Sequence, residues 1–581
     1  MSINRVSIKV GRKKLRSFQF SIEQDVCDHH DFYIECDAHI LGDFDGVINP
    51  DDIYSWIGKD AVIKVSNSSV KNDELSFKGI INHIELGKSR SNYDRVTLYG
   101  KSDTLLLDDG QDVKSFTEKS ISDIAKEVLS PFSKKLKINI SNDVTIPYCT
   151  QYRETPFDFI SRLAFRYGLW FYYDGQDLRL GDYEATNEYK LKLGTTTNEY
   201  SMELIMLPCN YGYQEYQYKK DEKFEVLSSD LTGPSMDNYG QAAMDASLGM
   251  FTPEHKSNFT ELFETEKDIK DFATHRLNSR AAQMMSLNGD SKNPSLHIGT
   301  KINVKDKKNK NVGSYYITYI SHSCDGQGNY SNSFKAIPAA LKDAPPNAHV
   351  RIPKAHAQVA TIKDNADPDN MGRVQVQFPW QDKNEATPWI RVVYPYAGSG
   401  DAYFVPEKED QVMIGFEHDN PDRPFVMGSV YHGKKTPQYA TDDNSIKAIH
   451  TKSGHRILFQ EGDDSMISII TKDDKSSIVL SLNGDGEINV TTKGVLNLKG
   501  KTINIEGDEL NIKMDSAINM EAGQDLTAKG MNLALSADQD ASVSGMTAKM
   551  EGQTEVGISG AQAKVEGQAT TTIKGGMVQI N

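Results

Sequence analysis

The last ninety or so residues of this chain repeat a two-stroke pattern, and the repeat restricts the fold more than any other feature. From Ile488 on, an apolar–x–apolar pair recurs every seven or eight residues. The pairs are Ile488/Val490, Leu496/Leu498, Ile503/Ile505, Leu510/Ile512, Ile518/Met520, Leu526/Ala528 and Leu533/Leu535, then Ala541/Val543, Ala548/Met550, Val556/Ile558, Ala563/Val565, Thr571/Ile573 and Val578/Ile580. Alternate pairs begin at 488, 503, 518, 533, 548, 563 and 578, a constant step of 15. Such self-similarity means one short unit stacked many times. Residues i and i+2 share a face in a strand, and no 3.6-residue period is present, so the unit is a short strand and not a helical turn. Glycines such as Gly494, Gly500, Gly507, Gly523 and Gly530 separate the pairs and permit tight corners. The segment reads as a β-solenoid or β-prism.

No Phe, Tyr, Trp, Pro or Cys follows Phe459. The core is therefore narrow, with Ile503, Ile518, Leu533, Val556 and Ile573 among its inward residues and polar positions such as Asn519 outside. At about 4.8 Å per unit, the repeats make a rod of roughly 60 Å. The pattern leaves open whether one chain coils on itself or several wind together. Two apolar residues per layer are hard to close into a core with one chain, which favours winding together.

A chain of 581 residues accommodates about three to five domains. Its apolar runs are too short to span a bilayer, and the alternating start, Met1–Val10, has no signal-peptide core. The expected site of assembly is the cytoplasm. The five cysteines, Cys27, Cys36, Cys149, Cys209 and Cys324, are scattered and show no zinc spacing, which suggests reduced thiols. A net charge of −16 argues against nucleic acid or an anionic membrane as the main partner. From Gln460 on, 18 Asp and Glu face 10 Lys and no Arg, so −8 of that charge lies on the rod and its approach.

Residues 1–110 read as strands: Arg5–Val10, Ser17–Ile22, Phe32–Ile40, Ala61–Val65, Ser76–Leu86 and Arg95–Tyr99. A helix is expected at about Ser120–Ser130, capped by Ser120 and ended by Pro131. A second has Thr155 as N-cap, Pro156 at its first position, Asp158 three after the cap and Gly168 as its stop. The aromatic strand Leu169–Tyr173, the Asp174-Gly175 turn and a return strand at Leu178–Leu180 read as a hairpin. Residues 200–340 look strand-rich with one polar helix near Thr265–Met284. The stretch Ala339–His349 reads as a linker. Five short strands, Ala355–Thr361, Gly372–Phe378, Trp389–Val393, Gln411–Phe416 and Phe425–Val430, suit a small barrel. The resulting division is a base domain at 1–340, a linker at 341–352, a barrel at 353–435, neck strands at 436–487 and the rod at 488–581.

Two stretches are specific enough to name a family. Gln151-Tyr-Arg-Glu-Thr-Pro-Phe-Asp-Phe-Ile-Ser-Arg-Leu-Ala-Phe-Arg-Tyr-Gly-Leu-Trp-Phe-Tyr-Tyr173 resembles the hub signature of VgrG proteins. Asp367-Pro-Asp-Asn-Met-Gly-Arg-Val-Gln-Val-Gln-Phe-Pro-Trp380, supported by Asn420-Pro-Asp-Arg-Pro-Phe-Val-Met-Gly-Ser-Val-Tyr431, resembles the OB-fold signature of the same family. Domain order matches too. The resemblance implies a mainly β protein with two barrel-like hub subdomains carrying small helices, an OB-fold, and a C-terminal rod in which three chains intertwine as a β-prism. It implies the spike of a contractile injection machine of the type VI kind, assembled in the cytoplasm and secreted by that machine. The partners it implies are two further copies of the chain, an inner-tube protein (Hcp-like), baseplate proteins, a PAAR-type tip protein, carried effectors and, transiently, the target membrane. A spike of an extracellular particle or a phage tail is the alternative.

Chemistry is sparse. No HExxH, GxSxG, P-loop or dinucleotide fingerprint occurs, so neither an enzyme nor a cofactor is expected. The turn Asp367–Gly372 has the look of a calcium loop, but Met371 and Phe378 stand where ligands are needed. Arg373, Val374, Val376 and Phe378 then read as ordinary strand residues. Trp380, Trp389 and Tyr394 offer rings that could stack a ligand, with packing the simpler role. A glycan-cleaving tailspike needs a broader helix lined with paired carboxylates, which the ring-free two-residue layers do not supply. Some phage spikes close their tip with an iron held by His-x-His; the last histidine here is His455, so a separate cap is expected. Its docking platform would be Met577, Val578, Gln579, Ile580 and Asn581.

Overall fold

A computed structural model describes residues 4–16, 18–37, 53–67, 74–88, 94–185, 187–252, 255–258, 263–482 and 484–580. The chain divides into two compact units, Met1–Ala440 and Thr441–Asn581.

Strands with alternating burial build the first unit. Asp31–Asp37 and Tyr330–Pro338 bury every second side chain, as half-covered strands must. They belong to one 13-stranded sheet. Its main path runs Tyr200–Leu204, Met285–Ser291, Tyr330–Pro338, Asn311–Cys324, Phe18–Asp25, Asp31–Asp37, Asp94–Ser102, Glu74–Lys88, Asp60–Asn67, Asn4–Val10 and Lys13–Lys14. Lys301–Lys305 branches off Asn311–Cys324 and carries Glu188–Lys192. The two expected hub subdomains are thus two cores along one sheet. Ile8, Phe20, Ile34, Ile63, Phe77 and Leu98 fill one. Leu287, Ile302, Ile317, Ile320 and Phe334 fill the other. They are joined where Ser321 pairs with Glu23. Of the expected strand Phe32–Ile40, the part up to Asp37 lies in Asp31–Asp37, and residues 38–40 lie outside the described residues.

A third core lies around two helices, α1 (Ile121–Val128) and α2 (Pro156–Arg166), beside the antiparallel pair Asp112–Ser120 and Thr145–Glu154. Both helices start as expected: Ser120 Oγ accepts from the Asp123 N–H at 3.2 Å and Thr155 Oγ1 from the Asp158 N–H at 3.1 Å. Gly168 ends α2 with φ +68°, and a Cβ there would sit 2.3 Å from His275 Nδ1. Only glycine satisfies both conditions. The hairpin pairs Tyr173 with Leu178, and the Asp174 N–H bonds Asp177 O at 3.0 Å, so the chain reverses over Gly175 and Gln176.

A helix that hydrophobic periodicity misses, α3 (Asn238–Met250), is capped by the Asp237 carboxylate. Its two glycines and small side chains give it almost no apolar stripe. The expected polar helix, α4 (Glu266–Met284), opens with a full capping box from Thr265 and Asp268. The linker is strapped down. Trp170 Nε1 donates to Lys342 O at 2.7 Å, Ser279 Oγ to Ala344 O at 2.6 Å and Asn347 Nδ2 to Cys27 O at 3.2 Å.

The small barrel is a sheet in the order Gln375–Gln377, Gln358–Asp364, Gln411–Phe416, Pro424–Ser429. The expected strand Trp389–Val393 contributes only isolated bridges, yet these close the barrel: Ile390 pairs with Val374 on one edge and Val392 with Val426 on the other. Val374, Val376 and Phe378 point into the core, as read from sequence.

In the second unit, Ile446–His450, Arg456–Gln460, Met466–Ile470, Ser476–Ser481 and Glu487–Thr492 form an antiparallel meander. The first repeat pair, Ile488/Val490, lies in its last strand. After Lys493 the chain is extended and bends at 501, 507–508, 515–516, 523–524, 531, 538–539, 546, 553–554, 560–561, 568–569 and 576–577. Each bend falls between two consecutive apolar pairs. Among the described residues, these units do not pair with one another.

Candidate functional site

Two places carry more than ordinary packing. The first is the seam between hub and barrel, where the two family-like motifs meet. Glu154 ends the strand Thr145–Glu154 just after a bulge at Arg153, whose φ is +54°. The bulge sends Arg153 outward and leaves Tyr152 and Glu154 both buried. Nearly two turns into α2, Arg162 meets Glu154 with two parallel bonds, Nε to Oε1 at 2.7 Å and Nη2 to Oε2 at 2.8 Å. From the barrel, Asp422 Oδ1 accepts the Thr150 N–H at 2.6 Å, and its Oδ2 lies 3.8 Å from Arg162 Nη1. Beside it, Arg423 Nη2 bridges Glu215 Oε1 at 2.8 Å and Glu417 Oε2 at 2.7 Å. Gln381 Nε2 adds a bond to Ser115 Oγ at 2.7 Å, and the Arg391 guanidinium lies 4.4 Å over the Tyr218 ring. Glu154, Arg162, Glu215 and Asp422 are all buried. Burial pushes the Glu215 carboxyl up, and Arg423 opposes that rise. Every charge in the seam has a partner, which is the condition for tolerating buried ions at all.

The sequence motifs contained Glu154, Arg162, Asp422 and Arg423 but not Thr150, Glu215, Glu417 or Gln381, and nothing in the sequence paired Thr150 with Asp422 across 272 positions. Arg373, read as an ordinary strand residue, is also different. It is buried and gives Asp367 a bidentate pair, Nε to Oδ2 at 3.0 Å and Nη2 to Oδ1 at 2.7 Å, with Asp369 on its other side. Those bonds hold the Asp367 carboxyl well below the usual range. Its oxygens also accept the Asp369, Met371 and Arg373 N–H groups. The turn is an internal arginine clamp, and no cluster of metal-ligating side chains occurs among the described residues. The candidate stacking rings are dispersed. Trp380 stacks on Phe378 at 5.0 Å and donates to Gln358 Oε1, while Tyr394 donates to Gly372 O at 2.7 Å. Trp389 is half-buried.

The second place is the apolar surface of the C-terminal unit. Register aligns Ile449, Ile457, Ile469, Ile478 and Val490 in one cross-strand row, and Phe459, Ile467, Leu480 and Ile488 in the next. Both rows lie on one face, and all but the half-buried Ile457 are exposed. The rod residues expected inside, Ile503, Ile518, Leu533, Val556 and Ile573, are 50–69 % exposed in the single chain. So are the proposed tip residues: Met577, Val578, Gln579 and Ile580 are exposed, and Asn581 lies outside the described residues. Exposed apolar faces of this kind are characteristic of interaction surfaces.

Comparison with known proteins covers the parts of the chain that meet at the seam. Residues 46–328 match the phage tail baseplate hub family, and residues 358–431 match the type VI secretion system/phage-baseplate injector OB domain. The type VI secretion system spike protein VgrG1a of Pseudomonas aeruginosa is 24 % identical over 403 residues, 61 % of this chain and 60 % of that protein. The spike protein VgrG3 of Vibrio cholerae is 24 % identical over 344 residues, 53 % of this chain and 33 % of that one. The chain spans between a third and three-fifths of the length of these curated relatives. In a solved Francisella PdpA–VgrG complex, a chain of the same fold aligns with 85 % of this chain and 88 % of its own length, at TM-score 0.55 and 10 % identity.

Proposed function

We propose that this chain, which joins a phage-tail baseplate hub to an injector OB domain and so belongs with the VgrG-like hub–spike proteins, works as the trimeric spike of a contractile injection machine. The observation that carries the reading is the bare apolar face of the Ile446–Thr492 sheet, continued by exposed pairs at each rod unit. A sheet with one apolar face needs a partner layer. Three copies of a flat sheet enclose a triangular core with no exposed edge, and the seven- and eight-residue units then supply one short strand per chain to each layer.

In this reading the protein transmits force. The hub trimer seats on the inner tube, an Hcp-like ring within a baseplate, and the rod is driven out by contraction into the target membrane. The seam of Glu154, Arg162, Asp422 and Arg423 keeps hub and OB domain from shearing, because sliding them would strip buried charges of their partners. Met577, Val578 and Ile580 from three chains form an apolar platform, with Gln579 and Asn581 at its rim, on which a PAAR-type cap docks by continuing the prism. Effectors ride on the assembly, and the chain itself performs no chemistry. Light scattering tests the assembly. The expected mass is three times 64.8 kDa, about 194 kDa. A folded monomer at micromolar concentration refutes the trimer. Val578→Asp with Ile580→Asp should abolish co-purification with the cognate cap and leave the trimer intact.

A further inference from the structure

We propose that the open edge of the strand Tyr200–Leu204 docks an extended peptide segment of a partner protein, one whose side chains alternate between apolar and basic. The proposal is independent of the rod. This strand ends the main path of the 13-stranded sheet, and among the described residues Met285–Ser291 is its only neighbour. The bonds Asp290 N–H to Glu199 O and Ile205 N–H to Met284 O show which residues face that neighbour. In an antiparallel ladder the direction alternates, so Ser201 and Glu203 also bond inward. Tyr200, Met202, Leu204 and Met206 then aim their N–H and C=O groups outward. None of these groups has a hydrogen-bond partner among the described residues.

Other edges of the same sheet are guarded. One ends in Lys13–Lys14, and another, Glu188–Lys192, carries Glu188, Lys190 and Lys192. Tyr200–Leu204 has no lysine and runs on into Ile205 and Met206. Exposed Leu204 and Met206 leave an apolar rim beside it. Helix α3 supplies the other side of that rim: Ala243 and Met244 share a core with Tyr200 and Met202, Ser247 Oγ accepts the Leu207 N–H at 3.3 Å, and Leu248 and Met250 are exposed just beyond.

The two faces of an added strand would therefore meet different surroundings. On the α3 side it meets Leu204, Met206, Leu248 and Met250. On the opposite side it meets Glu199 and Glu203; Glu203 accepts from Ser286 Oγ at 3.0 Å and has the Lys335 ammonium at 3.7 Å. Main-chain bonds to Met202 and Leu204 would supply affinity, and this division of faces would supply selectivity for apolar–basic alternation.

The test uses the full assembled chain and a labelled peptide, acetyl-(Lys-Val)4-amide. Hydrogen exchange should show new protection at the Met202, Leu204 and Met206 amides on peptide addition. Leu204→Pro removes an outward N–H and an exposed side chain, which an edge strand tolerates, and should weaken binding on the order of tenfold or more. Leu204→Lys keeps the N–H, adds a like charge, and should weaken it as well. The (Glu-Val)4 peptide should bind at least about tenfold less tightly. Three results would each overturn the proposal: no added protection, equal binding of the two peptides, or amides already protected without peptide because another copy of the chain covers the edge.

Discussion

Replacing Ile518 with Asp separates a wound rod from a single exposed strand. Ile518 is 52 % exposed in the single chain, so assembly has about half of its surface left to bury. Fully burying an isoleucine is worth roughly 1.5–3 kcal/mol, so the remaining half is worth about 1 kcal/mol per chain. Three copies meet at one level, giving about 3 kcal/mol per trimer from lost apolar contact alone. Aspartate adds three carboxylates facing one axis, and each costs several kcal/mol to desolvate with no cation to meet it. The sum is on the order of 10 kcal/mol or more per trimer. Asn519→Thr, one residue away and facing out, should change stability by no more than about 0.5 kcal/mol. The assay is a thermal melt of the full chain with light scattering on the same samples. Ile518→Asp should lose the trimer or melt well below the parent, while Asn519→Thr should match it. Equal tolerance at both positions would refute the inward register.

Three more outcomes follow from the hub. Arg162→Ala leaves Glu154 and Asp422 buried beside an empty space, and should cost about 3–5 kcal/mol in chemical denaturation, against less for the double change Arg162→Met with Glu154→Met. Burial lowers His30 and His322 to about 3, so both are neutral in the folded hub. The unfolded chain binds protons below about 6.5, so this contribution is complete above that pH and is lost progressively as pH falls toward 3. Melting midpoints from pH 8 to pH 4 should fall, and His322→Gln should flatten that dependence. Gly168→Ala forces a left-handed backbone and a Cβ into His275, and should destabilise by at least about 1–2 kcal/mol in the same denaturation assay; no change would mean that the α2 terminus relaxes freely.

Local signals carried the reading wherever structure is made by neighbours in sequence. The caps Ser120, Thr155 and Thr265 act within three residues of themselves, and all three start helices where expected. The repeat pairs likewise foretold the bends, because a strand's facing and a corner's position are both local properties. Helix α3 was invisible because its glycines and alanines bury backbone and small groups instead of an apolar stripe. Longer range was decided by the fold alone. The joining of two cores on one sheet, the closing of the barrel by Ile390 and Val392, and the meeting of Thr150 and Arg162 with Asp422 bring together groups far apart in the chain. A buried ion is stable only where its partner arrives, and that arrival depends on how whole elements pack, which no window of sequence encodes. The same holds for the edge at Tyr200–Leu204. It falls in a stretch that reads as strand-rich, but that nothing among the described residues pairs with its outer side follows only from where the other described strands have gone.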